Sequence, residues 1–194
     1  MSQGSVQPCA MKLLVTALLA VGTVCIAQQQ VPRATEMTPA KEVFARFCKL
    51  DAQGSQLNPD GWQELAALFV NPGRPQRKRI IVSDGGGPLR PSTESGRIGV
   101  GREYIQYGQI DLPQLRFSAA NGLPPNIKVR TGMYMVKLPS TSGAEEWRIE
   151  GPVPEPVVNV DAAIMFIMKQ RDETSDPAIE ANANRTLATL RRFR

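Results

Sequence analysis

The chain has 194 residues, 42% of them hydrophobic and 21% charged, with 16 Gly and 16 Pro. This is ordinary globular composition, long enough for one domain with its own core, and it excludes a collagen-like or broadly disordered chain. Lys and Arg outnumber Asp and Glu by 23 to 18 and histidine is absent, which removes every His-based triad, His–Cys dyad and histidine metal site.

The first element is a targeting signal. Leu13 to Ala27 reads LLVTALLAVGTVCIA behind Lys12. A basic start, an apolar run and a small-residue end make a secretory signal peptide over 1–27. Cys25 and Ala27 suit the last small positions, which places cleavage between Ala27 and Gln28. The run is shorter than the roughly 20 apolar residues of a membrane-spanning helix, and Val24 before Cys25 argues against a lipoprotein anchor. Residues 1–10 carry no charge, so Met11 is an alternative start to Met1. The expectation is export to the periplasm or the extracellular space, soluble after cleavage and without a membrane anchor. Cleavage removes Cys9 and Cys25 and leaves Cys48 without a disulfide partner. Beside Phe44 and Phe47 on a helix face, Cys48 is expected to be a buried, inert thiol.

Residues 28–37 read as a flexible lead-in. Thr38-Pro39 then supplies an N-cap and a first-turn proline, followed by Ala40, Val43, Phe44, Phe47 and Leu50 at helical spacing. Asn58-Pro59 opens a second helix with Trp62, Leu65, Ala66 and Phe69 on one face, stopped by Asn71-Pro72-Gly73. Arg79 to Ser83 (RIIVS) reads as a short strand, and DGGGPLRPSTESG after it as a loop. Ile98 to Ile110 reads as a long strand whose glycines suggest a bulge or strong bend. Leu115 and Phe117, then Ile127 to Met135, then Glu146 to Glu150 follow as alternating strands. GPVPEP is a bend, DAAIMFIMKQR (161–171) a nearly all-apolar and hence buried helix, and Asp176-Pro177 starts a last helix with Ile179, Ala183, Leu187 and Leu190 in register.

Most motifs that suggest chemistry fail on spacing. Gly85-Gly86-Gly87 lacks the Gly-Lys-Ser/Thr of a phosphate loop, and Gly96, Gly99 and Gly101 do not match a dinucleotide fingerprint. No serine has a histidine base, and no cysteine or carboxylate spacing suits a metal. The basic clusters Arg77-Lys78-Arg79 and Arg185, Arg191, Arg192, Arg194 lack interleaved aromatics, so no nucleic-acid partner is expected. What remains is carboxylate plus phenol: Asp84, Glu103 or Asp111 as a general base, with Tyr104, Tyr107 or Tyr134 as donor to a developing oxyanion.

Two helices, the second reading DGWQELAALFV after FCKLDAQGSQ, and then antiparallel strands ending in WRI resemble the NTF2-like superfamily, which includes SnoaL-like and ketosteroid-isomerase-like proteins. The match spans 38–150. The whole sequence after the expected cleavage also looks like an exported bacterial family carrying this domain. The resemblance implies an α+β fold in which N-terminal helices pack in a strongly curved antiparallel sheet, a cone with an apolar pocket. It makes Trp62, Phe69, Phe117, Met133, Met135 and Trp147 the pocket-lining residues. Residues 151–194 would then be a Pro-rich linker and two additional helices. Dehydratase sites of the family use histidine, which this chain lacks, and fold alone does not decide activity. The leading expectation is therefore a non-catalytic module that binds a small hydrophobic ligand or another protein, a second copy of itself included, without a cofactor. The alternatives are a cofactor-free isomerase or lyase using an Asp or Glu base and a Tyr donor, and a structural domain whose cone is filled by its own side chains.

Overall fold

The computed structural model describes residues 34–73, 78–87, 89–94, 97–120 and 127–194. The expected signal peptide, its expected cleavage site at Ala27 and Gln28, the part of the expected lead-in before residue 34, and Cys9 and Cys25 lie outside these. The described chain is α+β, with four α-helices and a mixed sheet of seven strands.

Helix α1 runs Ala34–Ala52. It begins before the Thr38-Pro39 start read from sequence, so Pro39 lies inside it. Pro39 removes only one early N–H, the one that would reach the carbonyl of residue 35, and the helix continues past it. Ala40, Phe44, Phe47 and Cys48 are buried along one side. A 3-10 turn, Ser55–Leu57, leads to α2, Pro59–Ala66. Asn58 caps α2 by accepting the Gly61 N–H at 2.6 Å. Gly61 is needed there, because a Cβ would sit 2.7 Å from the Ser55 Cα. Asn58→Ala is expected to cost about 1 kcal/mol, read as a lower urea midpoint.

The strands are β1 Arg79–Ser83, β2 Leu89–Glu94, β3 Arg97–Asp111, β4 Arg116–Ala119, β5 Ile127–Pro139, β6 Glu145–Ile149 and β7 Val157–Asn159. Their order is β6-β5-β3-β1-β7, with β2 and β4 also paired to β3. The 15-residue β3 is the spine, flanked by β5 and β4 on one side and by β2 and β1 on the other.

Two expectations change here. The segment after Ser83 is not all loop: Leu89–Glu94 pairs with β3, and Pro91 is accommodated because β2 is paired on one side only. The sheet is mixed rather than antiparallel throughout, since β7 emerges from the Pro-rich segment and pairs parallel to β1. Residues after Gly151 thus supply part of the sheet itself.

The bulge expected in the third strand falls at Tyr107, where Val82 pairs with Gly108 but Ser83 with Gln106. One extra residue reverses the side-chain alternation. Before it, Ile98, Val100, Arg102 and Tyr104 share the side on which α1 packs. After it, Ile110 joins Ile80 and Val82 against α3, Val160–Glu173, and α4, Pro177–Leu190. One apolar cluster therefore joins α1 and α2 to β3, β5 and β6, and a second joins α3 and α4 to β1, β7 and the end of β3. Asp176 caps α4 through Ala178 N at 2.8 Å. Helix α3 is less buried than its composition suggested: Val160, Ala163, Ile164 and Ile167 face the core, while Met165 is 72% exposed. Only one side of a helix can meet the layer beneath it, so apolar residues on the other side remain in solvent.

Candidate functional site

The acids and phenols named from sequence do not converge. Asp84 is exposed, and its Oδ1 accepts the N–H groups of Ile105 and Gly86, both at 3.1 Å. It closes the turn after β1. Asp111 is half-buried at the end of β3, in register with Arg79 and Arg116. Tyr104 is 3% exposed on the α1 side, where burial raises its phenol, with the Arg102 charge opposing. Tyr107 stacks on Phe193 with ring centroids 4.9 Å apart. Tyr134 is exposed beneath Arg97, whose guanidinium carbon lies 4.5 Å from the ring centroid.

Glu103 lies on the side of β3 opposite Tyr104, covered by three long basic side chains. Arg130 Nε approaches Oε1 at 2.7 Å, Arg90 Nε approaches it at 3.3 Å, and Lys128 Nζ pairs with Oε2. The Lys128 hydrogen bond, opposed by desolvation and helped by the charges of Arg130 and Arg90, holds the carboxyl below the ordinary glutamate range. A carboxylate held in its charged form by three cations is a poor general base.

Beside this cluster, the same side of the sheet opens into a groove of about 250 Å³. Gly99, Gly101 and Gly132 form its floor, with Arg90 and Ser92 along one wall and Tyr134 along the other. Register places these residues together: Arg90, Gly101 and Gly132 form one row across β2, β3 and β5, and Ser92, Gly99 and Tyr134 the next. Glycines expose backbone where side chains would otherwise stand, leaving a flat floor.

Sequence reading missed a buried ion pair on the other side. Arg102 Nη2 donates to Asp51 Oδ2 at 2.7 Å, with the two side chains 2% and 0% exposed. Asp51 also accepts from Gln56 Nε2 at 2.8 Å and from the Val157 N–H at 3.2 Å. The guanidinium lies between the rings of Phe47 and Tyr104, 5.6 and 5.3 Å from their centroids. Three elements, α1, β3 and β7, are thereby joined at one carboxylate. Burial pushes the Asp51 pKa up to about 6, against the lowering charge of Arg102. Burial also pushes the Cys48 thiol up to about 11, so this free cysteine is neutral at ordinary pH and has little nucleophilic character. The signal was in the sequence as a violation: Asp51 continues the Phe44–Phe47 stripe, and Arg102 alternates with Val100 and Tyr104. A charge on a buried face demands a partner.

Five of the six residues assigned to an apolar pocket do come together. Phe69 and Met135 are buried in the α1 cluster, with Trp62, Met133 and Trp147 packed against it. Phe117 instead belongs to the cluster under α3 and α4, because the bulge sends that half of β3 and its partner β4 toward those helices. Phe44, Phe47, Leu65, Val100 and Ile149 fill the space among the five.

Among the described residues, no group of three or more Cys, Asp or Glu side chains is arranged to hold a metal ion, and no helix is long and apolar enough to cross a membrane. Comparison with protein-family models, with curated proteins and with solved structures returns no match to this chain.

Proposed function

We propose that this chain is an exported, non-catalytic binding module with an NTF2-like curved sheet, and that it engages a small hydrophobic ligand bearing an acidic group in the glycine-floored groove. The observation that carries the reading is the contrast between that groove and the acids. Glu103 is two residues from Gly101 on the same side of β3, yet its charge is already compensated by Arg90, Lys128 and Arg130. Asp84 is committed to its turn, and Tyr104 is on the other side of the strand. The groove offers flat backbone for an apolar body, the exposed fork of Arg90 for a negative group, and the Tyr134 ring as a wall. Polar groups at the rim of an apolar floor fix a ligand's orientation without chemistry.

Gly132→Val tests this directly. An added Cβ there meets nothing closer than 3.5 Å, so the variant is expected to fold with an unchanged melting temperature while filling the groove. Saturable binding of 1-anilinonaphthalene-8-sulfonate, a flat hydrophobic anion, to the native protein is expected to weaken about tenfold or more, roughly 1.4 kcal/mol. Undiminished binding in a folded Gly132→Val protein defeats the reading.

A further inference from the structure

A second groove, of about 280 Å³, lies between β4 and α4, where Arg116 and Phe117 face Asn182, Arg185, Thr186 and Thr189. Helix α4 runs along the edge of β4 that β3 does not cover: the Thr186 hydroxyl donates to the Leu115 carbonyl and accepts the Phe117 N–H. This satisfies two of the outward backbone groups along that edge. Residues 182, 185, 186 and 189 recur at helical spacing, so α4 presents one polar strip to β4.

Among the described residues, the groove carries uncompensated positive charge, as do Arg191 and Arg192 beyond it, whereas the other described arginines are paired. Arg46, Arg79, Arg90, Arg97, Arg102, Arg130, Arg148, Arg171 and Arg194 each meet a carboxylate within ion-pair distance. Arg116 and Arg185 are both exposed, and among the described residues neither has an acidic partner at that distance. The nearest acid in register is Asp111, across the strand from Arg116. Arg185 is oriented by its own Nη2–H bond to Asn182 Oδ1 at 2.6 Å, and both residues line the groove. Arg191 and Arg192 follow at the end of the helix and add to the positive potential.

We propose that this groove is a binding site for an oxyanion, a phosphate or carboxylate group carried by a small molecule. Two planar guanidinium forks on opposite walls match the paired oxygens of such a group, and charge-assisted bonds of this kind are about twice as strong as neutral ones. Phe117 offers an apolar surface for the body of the ligand. The volume, about 280 Å³, is just below the usual range of about 300–1,000 Å³ for small-molecule sites, which suits a compact ligand. The site is separate from the glycine-floored groove, and neither assignment depends on the other.

Isothermal titration of the purified full chain with inorganic phosphate, phenyl phosphate and benzoate tests the proposal. Saturable binding of at least one is expected, and the preferred head group tells phosphate from carboxylate. Arg116→Gln and Arg185→Gln, both at exposed positions without ion pairs, are each expected to weaken that binding about tenfold. Lys49→Gln, an equal loss of charge on α1, and Gly132→Val are expected to leave it unchanged. Failure of all three probes to saturate overturns the site. So does an equal loss in Lys49→Gln, which would reduce the binding to overall positive charge. Either failure leaves the response of the sulfonate probe to Gly132→Val unaffected, so the two assignments fail separately.

Discussion

Arg102→Leu is expected to lower the free energy of unfolding by about 3–5 kcal/mol, the usual penalty for leaving one member of a buried pair without the other. The cause is Asp51. With the guanidinium gone, its carboxylate keeps only the Gln56 and Val157 donors in a site without solvent access. Of a total stability of roughly 5–15 kcal/mol for a domain, this is a large share. The double replacement Asp51→Asn with Arg102→Leu removes both charges and is expected to lose less than Arg102→Leu alone. Urea denaturation of the three proteins checks the ordering. A double variant less stable than Arg102→Leu would mean that the carboxylate contributes more through its backbone bond to β7 than it loses by being unpaired.

The same pair sets a pH dependence with a definite sign. The folded pKa of Asp51, about 6, is above its ordinary 3.8, so in this interval the native state holds the proton more tightly than the unfolded chain. The stabilisation from this group is fully present below about pH 3.8 and is lost as pH rises through about 6. Glu103 acts in the opposite sense. Its folded pKa is depressed by Lys128 and the two arginines, so its stabilisation is present above 4.5 and lost as pH falls. Comparing wild type with Asp51→Asn isolates the first effect: the stability difference is expected to shift in favour of wild type as pH is lowered from about 6 to about 4. A difference independent of pH across that range would show that Asp51 does not titrate there.

The second large effect is expected at Thr186. Thr186→Val keeps the shape but removes a hydroxyl that is 2% exposed and bonds two backbone groups of the β4 edge, the Leu115 carbonyl at 2.7 Å and the Phe117 N–H at 3.0 Å. Stranding a buried donor or acceptor costs about 1–3 kcal/mol. With two groups affected, the loss is expected to be about 2–4 kcal/mol, while Thr186→Ser, which keeps the hydroxyl, is expected to lose less. Amide hydrogen exchange provides a local readout: the Phe117 N–H should exchange faster in Thr186→Val than in Thr186→Ser. Equal protection in both would remove Thr186 as the link between α4 and β4.

Much of the fold was legible from short-range pattern. Asn58-Pro59 and Asp176-Pro177 begin helices as their capping chemistry requires, and Trp147 and Ile149 alternate with charges in a real strand. Misreadings arose where pattern and environment diverge. Pro91 made β2 look like loop, and a three-residue β7 within a Pro-rich stretch gives too little periodicity to read. The apolar run in α3 indicated a buried helix, yet Met165 and Met168 are exposed. Of the candidate site residues, Trp62, Phe69, Met133, Met135 and Trp147 gather in one cluster, whereas the acids and tyrosines are dispersed, because alternation along β3 sends Glu103 and Tyr104 to opposite sides.

The sequence alone determined the four helices, five of the seven strands and the exclusion of histidine chemistry, since propensity, capping and periodicity act over a few residues. It also contained the charged breaks in two apolar stripes, at Asp51 and Arg102. Only the tertiary structure decided that those two meet, across 51 positions of chain. It likewise decided that Glu103 is covered by Arg90, Lys128 and Arg130, and that Arg116 and Arg185 face one groove without an acid between them. The bulge residue at Tyr107 decided in addition which side the end of β3 faces, turning Ile110 and its partner Phe117 toward α3 and α4. Partners of a charge are chosen by register and sheet order, and neither is encoded in any local window of the chain.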